Sequence, residues 1–408
     1  PTGTRTPVSG MRIRCPNRKT IGPNVVKLAK MYFTKYNRHF KLIALTLAST
    51  ILFWLIFYFN IPGKIGFDNV SLETIFANYD GPNYMVISKC GYDKNCIGPN
   101  FSLPQPLEYY PAHFPGYPAL ITFFSNFTTG PKAMIFSTLL GSVFLSLILY
   151  EFLKLYLKEK KSFWLTLVFL FFPARFFVLR QVGAPETWFL AATIASIFYY
   201  KKEKFWLSAI FAALSMAFKT PAILLLASYG IVAIKDWIDI RKFLPVFKKY
   251  FPYILVPITV VLIFYLYYLQ TGNFWAYFHS GDNFHLNFLP YLVFVSTKSW
   301  INTIWLEDIV YIFLLAIYGV YRLVKKYKFD ITAVYPLVFT LATLLVAHRD
   351  ISRYIAPVYP FMLLAYKKFF TKHPVKIILI LLIPAIVLYA INFVWGNTAP
   401  ISDWTNYL

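Results

Sequence analysis

Charged residues are scarce in this chain of 408 residues. They make up 14% of the sequence, and only 17 residues are acidic. A soluble globular protein carries roughly 25% charged residues, so this chain lacks the polar surface that would cover a water-facing body. The scarcity excludes an ordinary soluble protein.

Three further features are missing from the sequence. It has no run of alternating apolar and polar residues of the kind that marks the strands of an outer-membrane barrel. It has no Asp-x-Asp pair, and His279 and His285 are too far apart in a loop to make a good ligand pair, so we expect no metal site. It also shows no internal repeat, which argues against a secondary transporter.

Apolar residues are abundant instead. Hydrophobic residues make up 58% of the chain and aromatic residues 20%. Because apolar runs recur that approach the roughly 20 residues needed to cross a bilayer, the sequence predicts an all-α polytopic membrane protein with about eleven transmembrane helices. The predicted crossings are residues 42–61, 132–157, 163–178, 184–199, 205–218, 221–234, 252–269, 303–323, 331–347, 354–366 and 377–393.

The positive charge of the chain predicts its orientation. The net charge is +23, and the basic residues fall in an N-terminal block and in short clusters between apolar runs, as cytoplasmic segments do. Such clusters do not form one nucleic-acid-binding face, so no nucleic-acid partner is expected. We predict a cytoplasmic segment over residues 1–41, of which 1–10 precede Met11 and lie before the expected natural start.

Residues 42–408 are predicted to form a single membrane domain, a monomer among membrane lipids, with its C-terminus outside. The membrane is the plasma membrane if the host is prokaryotic and the endoplasmic reticulum if it is eukaryotic. Two external loops are expected, at residues 62–131 and 270–302. The first contains a polar stretch with Asp68 and Asp80 in aromatic surroundings, which a protein that only spans a bilayer does not need. Residues 114–127 are apolar but short, and they are predicted to form an interfacial helix.

A second set of polar residues is predicted to lie on the same outer side. Ionisable residues within membrane helices are costly and often mark functional sites. The set comprises Arg175, Arg180, Glu186, Lys219, His279, His348, Arg349, Asp350 and Arg353.

Several motifs follow one another between residues 68 and 281. The first loop carries Tyr-Asp-x-x-x-Tyr at 79–84, Gly-Tyr at 91–92 and Phe-Pro-x-Tyr-Pro at 114–118. The stretches FFPARFFVLRQVGAPETWFLAAT, AALSMAFKTPAILL and GNFWAYFHSG come later. This order resembles the membrane glycosyltransferases of the GT-C superfamily. More closely, it resembles the second mannosyltransferase of glycosylphosphatidylinositol assembly and its prokaryotic relatives. The chain departs from that family where His113 replaces an aromatic residue and Lys219 replaces an arginine.

The resemblance implies a reaction class. It implies an inverting glycosyltransferase that takes a hexose, most plausibly mannose, from a polyprenyl-phosphate-linked donor at the extracytoplasmic face. The acceptor would be lipid-linked or a glycan, and no cofactor is expected. The alternatives are a protein O-mannosyltransferase-like enzyme and, from a different class, a polytopic transporter.

Asp80 is the predicted general base, because it matches the loop aspartate of the family. A positioned carboxylate that takes the proton of the attacking hydroxyl contributes roughly 10²–10⁴-fold in rate. The alternative is a turn aspartate, since Asp-Gly is common turn chemistry.

The leaving phosphate needs cations, which arginine or lysine can supply without a metal. We predict that Arg353 and Lys219 share it, with Arg349 and Arg180 as further candidates. The alternative for Arg353 is a local ion pair with Asp350, worth about 0–1 kcal/mol at a surface. The remaining predicted substrate-binding residues are Asp68, Tyr84, Tyr110, His113, Glu186 and His279.

Two of the three cysteines lie in the first external loop. Cys90 and Cys96 are predicted to form a disulfide, because oxidation is permitted on the outer side. Cys15 is predicted to be cytoplasmic and unpaired.

Overall fold

A computed structural model describes residues 23–68, 70–281, 285–295 and 306–408, together with Gly3, and the side chains of these ranges from Asn37 onward. The chain divides into two units, Pro1–Lys41 and Leu42–Leu408. Most of the predicted cytoplasmic segment lies outside the described residues, as do Cys15 and parts of the predicted loop 270–302. The side-chain contacts and cavities described below lie in the second unit.

Within the described residues the secondary structure is helical and includes no strand, which confirms the predicted all-α class. Isolated β-bridges join Asn78 to Thr398 and Leu286 to Val346. The α-helices are α1 (Pro23–Tyr58), α2 (Leu72–Phe76), α3 (Gly81–Cys90), α4 (Lys94–Asn100), α5 (Gly116–Ser125), α6 (Gly130–Lys154), α7 (Glu159–Phe171), α8 (Ala174–Leu179), α9 (Glu186–Lys201), α10 (Phe205–Phe218), α11 (Ile223–Ile240), α12 (Phe243–Tyr250), α13 (Leu255–Thr271), α14 (Leu306–Tyr327), α15 (Ile331–Leu344), α16 (Ile351–Tyr354), α17 (Tyr359–Ala365), α18 (Lys367–Phe370), α19 (His373–Leu381) and α20 (Ile383–Gly396). Short 3₁₀ helices lie at Pro62–Ile65, Leu107–Ala112, Thr220–Ala222, Phe251–Ile254, Ala276–His279, Leu292–Phe294, Ala356–Val358 and Thr405–Tyr407.

In the part of the chain that the structure describes, four helical segments are long and apolar enough to cross a membrane. They are Asn37–Tyr58, Gly130–Lys154, Phe243–Thr271 and His373–Gly396. This fits a membrane protein, but it does not support the predicted count of about eleven crossings. Several predicted crossings are shorter helices, such as Phe205–Phe218 and Ile331–Leu344, and a 14-residue helix is only about 21 Å long.

Proline explains one of the broken spans. Residues 163–178 were predicted as one crossing, but α7 ends at Phe171 and α8 begins at Ala174, on either side of Pro173. Proline has no backbone N–H and disfavours helical conformation in the residue before it. The chain therefore turns at this point.

Helix α9 packs against both α6 and α10. Gly116, at the start of α5, allows a further close approach, because a Cβ there would lie 2.6 Å from the carbonyl oxygen of Ala217 near the end of α10. These contacts place the first residue of α9 and the residue after α10 near the start of α5. The site described below is built at this point.

The last described residues contact the segment that was predicted to be the first external loop. The Ala399 N–H donates to the Ala77 carbonyl at 2.8 Å, and Asn406 donates to the Asn100 carbonyl at 2.6 Å. Residues 397–408, which we call the C-terminal segment, therefore contact the stretch that contains Asp80.

Cys90 and Cys96 form a disulfide, with their Cα atoms 5.5 Å apart. The bond joins the end of α3 to α4 and confirms the predicted pairing.

Candidate active site

Asp80 precedes helix α3, where Pro82 occupies the first turn. An aspartate in this N-cap position usually accepts a hydrogen bond from a backbone N–H of the first turn. Here the side chain makes no such bond. Its Oδ2 atom lies 2.9 Å from Nη2 of Arg353 instead. Asp80 therefore lies in a turn, as the alternative expected, but its carboxylate contacts Arg353 and not the backbone of that turn.

Arg353 connects Asp80 to a second carboxylate. Its Nε atom lies 2.7 Å from Oε1 of Glu186, and Nζ of Lys219 lies 2.7 Å from the same oxygen. Asp80, Arg353, Glu186 and Lys219 thus form one row of alternating charges, which we call the charge chain. The local pair with Asp350 that was the alternative for Arg353 does not form.

Each member of the charge chain is placed by a helix end. Glu186 is the first residue of α9, where a carboxylate is favoured by the helix dipole, and its side chain is only 3% exposed. Lys219 follows α10 in an extended conformation, and Pro221 prevents the helix from continuing. Arg353 lies on the short helix α16.

Electrostatics keeps Asp80 ionised. Burial would raise the pKa of Asp80, but the Arg353 guanidinium and the nearby His113 outweigh burial and hold the pKa well below its usual range. The side chain is nevertheless 30% exposed. A charged carboxylate is therefore presented to solvent-accessible space.

One side of Asp80 opens into a cavity of about 200 Å³, the smaller cavity. His113 lies there with Nε2 at 3.9 Å from Oδ1 of Asp80, just beyond hydrogen-bond distance. Its ring packs edge-on against Tyr84 and Tyr109. Lys219 lines the same cavity.

The other side opens into a cavity of about 540 Å³, the larger cavity. Arg175 and Arg349 line it. Nε of Arg175 lies 2.8 Å from Oδ1 of Asp350, and the Tyr79 hydroxyl donates to Oδ2 of Asp350 at 3.2 Å. The C-terminal segment forms one wall.

Asp80, Arg353 and His348 line both cavities. Burial, followed by the neighbouring His285, lowers the pKa of His348 to about 4, so this imidazole is neutral at physiological pH. The boundary between the two cavities is thus a charged carboxylate, a guanidinium and a neutral histidine.

An apolar groove of about 580 Å³ lies beside the smaller cavity. Side chains of α6, α9 and α10 line it, among them Trp188, Ala192 and Leu214. Phe218, next to Lys219 in the chain, lines both the groove and the smaller cavity. The groove and the smaller cavity therefore share Phe218 as part of their walls.

Tyr79, the residue before Asp80, has an uncommon backbone conformation. Its φ is +52°, which costs a non-glycine residue free energy. Its N–H donates to the Asn397 carbonyl at 3.4 Å, and its ring lies under the Arg353 guanidinium, 4.5 Å from centroid to Cζ. The surrounding contacts maintain the strained residue next to the carboxylate.

Most of the residues predicted from the sequence to bind substrate meet at this site. Tyr84, His113 and Lys219 line the smaller cavity, Arg349 lines the larger one, and Arg353 lines both. Glu186 lies behind them as the partner of two cations. These placements leave their roles as predictions.

Three further predicted residues line neither cavity. Asp68 is exposed and lines neither cavity, and its carbonyl accepts a hydrogen bond from Trp395. Tyr110 is buried in the core, because the 3₁₀ turn directs its neighbour Tyr109 into the smaller cavity. His279 is exposed and bonds Asn273, whereas Tyr277 faces the cavity.

Arg180 was also considered for the phosphate, and the structure places it away from the site. Its guanidinium donates to the Leu170 carbonyl and to Ser49 of α1. It is 1% exposed and lines neither cavity. Arg180 was predicted to lie near the outer end of a membrane span, but the sequence did not predict the direction of its side chain.

Three contributions to the site were not predicted from the sequence. The C-terminal segment and Gln105 line the larger cavity, and His285 lines the smaller one. None of these residues belongs to a motif, and the β-bridge between Asn78 and Thr398 has no periodic signal in the sequence. Arg175, His348 and Asp350 were recognisable only as ionisable residues at predicted span ends.

No group of three or more histidine, cysteine, aspartate or glutamate side chains suited to a metal occurs among the described residues. No protein-family model matches the chain, and no curated protein matches it significantly.

Proposed function

We propose that this protein is an inverting glycosyltransferase of the GT-C type, which transfers a hexose, and mannose in particular, from a polyprenyl-phosphate donor at the extracytoplasmic membrane face. The acceptor is lipid-linked or a glycan. The observation that carries the proposal is the position of Asp80, an ionised carboxylate at the boundary of two cavities, one of which meets an apolar groove.

The reaction requires three groups around one carbon atom. The acceptor hydroxyl oxygen attacks the anomeric carbon of the donor sugar, and the bond from that carbon to the phosphate oxygen breaks. Asp80 takes the hydroxyl proton, and polyprenyl phosphate leaves with the bonding electrons. Attack from the face opposite the phosphate inverts the anomeric centre.

The donor fits the side of the smaller cavity. A polyprenyl chain needs an apolar surface, which the groove of α6, α9 and α10 supplies. Phe218, next to Lys219 in the chain, lines both the groove and the smaller cavity. Nε of Arg353 and Nζ of Lys219 approach the same Glu186 oxygen at 2.7 Å each, so both cations can contact one phosphate. Cations held in this way stabilise the charge that develops on the leaving oxygen.

The test is donor consumption. Purified protein in lipid vesicles is incubated separately with polyprenyl-phosphate mannose and polyprenyl-phosphate glucose, and release of polyprenyl phosphate is measured. We expect consumption of one donor in preference to the other. Consumption of neither, with a range of glycolipid acceptors present, would contradict the proposal.

A further inference from the structure

The larger cavity carries more positive charge than its carboxylates balance. The charge chain is neutral, with two carboxylates and two cations. Beyond it, Arg175 and Arg349 line the larger cavity together with one further carboxylate, Asp350. Both Asp350 oxygens are already engaged, by Arg175 and by the Tyr79 hydroxyl. One guanidinium therefore remains in excess.

The excess charge belongs to Arg349. Its side chain is exposed, and it has no ion-pair partner in the parts of the chain that the structure describes. It lines the same cavity as Arg175, which is 10% exposed and packs against Phe393, 3.8 Å from Cζ to the ring centroid. An exposed guanidinium and a fixed one in the same cavity suit the binding of an anion.

Two buried polar atoms in the lining of the larger cavity lack a partner among the described residues. One is Nη1 of Arg175, a donor, and the other is Oε1 of Gln105, an acceptor. Buried polar groups are nearly always hydrogen-bonded, and an unsatisfied one destabilises the protein. Both atoms are covered from solvent, so a ligand with an anionic group and hydroxyl groups would reach them only after a small shift of the cavity wall.

We propose that the larger cavity is the acceptor site and that it selects an acceptor carrying an anionic group, a phosphate or a carboxylate, near the hydroxyl that attacks. This rests on the proposed function, because the donor occupies the smaller cavity and the groove. Asp80 lines both cavities, so a hydroxyl in the larger cavity reaches the base, while the sugar that it attacks lies on the other side.

The experiment compares two lipids that differ in one group. Binding of glucosyl diacylglycerol and of glucuronosyl diacylglycerol, which has a carboxylate in place of the hydroxymethyl group, is measured on the full chain in detergent. Phosphatidylinositol supplies the phosphate form of the anion, and inorganic phosphate supplies a free one. The variants are Arg349→Gln and Arg175→Lys, with Lys64→Gln as a control that removes an exposed charge outside both cavities.

We expect an anionic lipid to bind at least roughly tenfold more tightly than the neutral one, as for a charge-assisted hydrogen bond. Arg349→Gln should remove the preference, Arg175→Lys should weaken it, and Lys64→Gln should keep it. Arg349 is exposed, so its variant folds even if Arg175→Lys does not. Polyprenyl phosphate should bind Arg349→Gln as it binds the natural chain.

Four results would overturn the inference. The natural chain could show no preference for either anionic lipid, or the preference could survive Arg349→Gln. Inorganic phosphate could displace the lipids at equal concentration, which would indicate a free-anion site. Loss of polyprenyl-phosphate binding in Arg349→Gln would place the donor here. If the anionic preference holds but no donor is consumed, the proposed function fails, and the acceptor role fails with it.

Discussion

Arg353 contacts two carboxylates that come from different parts of the chain. Nη2 reaches Asp80 and Nε reaches Glu186, with both distances under 3 Å. The fork of the guanidinium is what allows one side chain to make both bonds, and a lysine ammonium cannot reproduce this geometry. In the proposed mechanism, Arg353 fixes the base and supplies positive charge to the phosphate.

Replacement of Arg353 tests its effect on the base and its effect on donor binding together. We expect Arg353→Ala to lower transfer by roughly 10²–10³-fold, the range for loss of one transition-state donor, and Arg353→Lys to lower it less. Donor affinity should fall in both variants. Thermal stability is measured alongside, because removing one partner of a buried ion pair destabilises by about 3–5 kcal/mol. Equal rates for the lysine and alanine variants would show that the fork is not used.

Arg353→Ala should also change the pH dependence of activity. In the natural chain the pKa of Asp80 lies well below its usual range, so the carboxylate stays ionised as the pH falls, and its protonation causes no loss of activity between about pH 7 and pH 5. In Arg353→Ala, burial continues to raise the pKa of Asp80, and the group that lowers it most is lost, while His113 still lowers it. We expect an acid-side loss of activity that moves to higher pH in this variant. An unchanged pH profile would mean that Arg353 does not set the ionisation of Asp80.

At the scale of elements, residues at or near helix ends form the site. The bounds of short helices were easier to predict than the packing of these helices against one another. Residues 205–218 were predicted from their apolar run, and α10 has those bounds. The direction that each turn gives its side chains could not be predicted, as Tyr109 and Tyr110 show, because it depends on the φ and ψ angles of one residue. The contact between α5 and α10 depends on Gly116. The need for glycine at this position is visible only in the three-dimensional structure.

Gly116→Ala tests that contact. A Cβ at this position would lie 2.6 Å from the Ala217 carbonyl oxygen, so the end of α10 must shift and move Lys219. We expect a loss of about 1–3 kcal/mol in stability and a raised KM for the donor. Gly230→Ala in α11 is the matched control, because nothing lies within 4 Å of its Cβ position. Natural stability and KM in Gly116→Ala would show that α10 does not need this close approach.

At the scale of the whole molecule, the class of the chain was predictable from composition, and its site only in part. Sparse charge and recurrent apolar runs predicted an all-α membrane protein. The motifs predicted Asp80, Glu186 and Lys219 of the charge chain, and Arg353 was predicted only as a cation near a span end. Neither signal indicated that Glu186 would join two cations. The C-terminal segment could not be foreseen as a wall of the larger cavity, because it lies about 300 residues away from Asp80 in sequence, and loop closure over such lengths leaves no local pattern.

The orientation of the molecule can be tested through its cysteines. Thiol labelling of the unreduced, denatured protein should modify Cys15 alone, because Cys90 and Cys96 are bonded. After reduction of intact cells, a membrane-impermeant reagent should label the latter two and leave Cys15 unlabelled. Labelling of Cys15 in intact cells would reverse the predicted orientation.

The most direct measurement is single-turnover transfer by Asp80→Asn at saturating donor, with donor affinity measured separately. The amide keeps the shape of the carboxylate but cannot take a proton, so we predict that donor affinity stays near that of the natural chain while transfer falls by roughly 10²-fold or more. Asp68→Asn is the matched control, since Asp68 is exposed and outside both cavities, and it should transfer normally. Transfer by Asp80→Asn at the natural rate would contradict the role of Asp80 as the base.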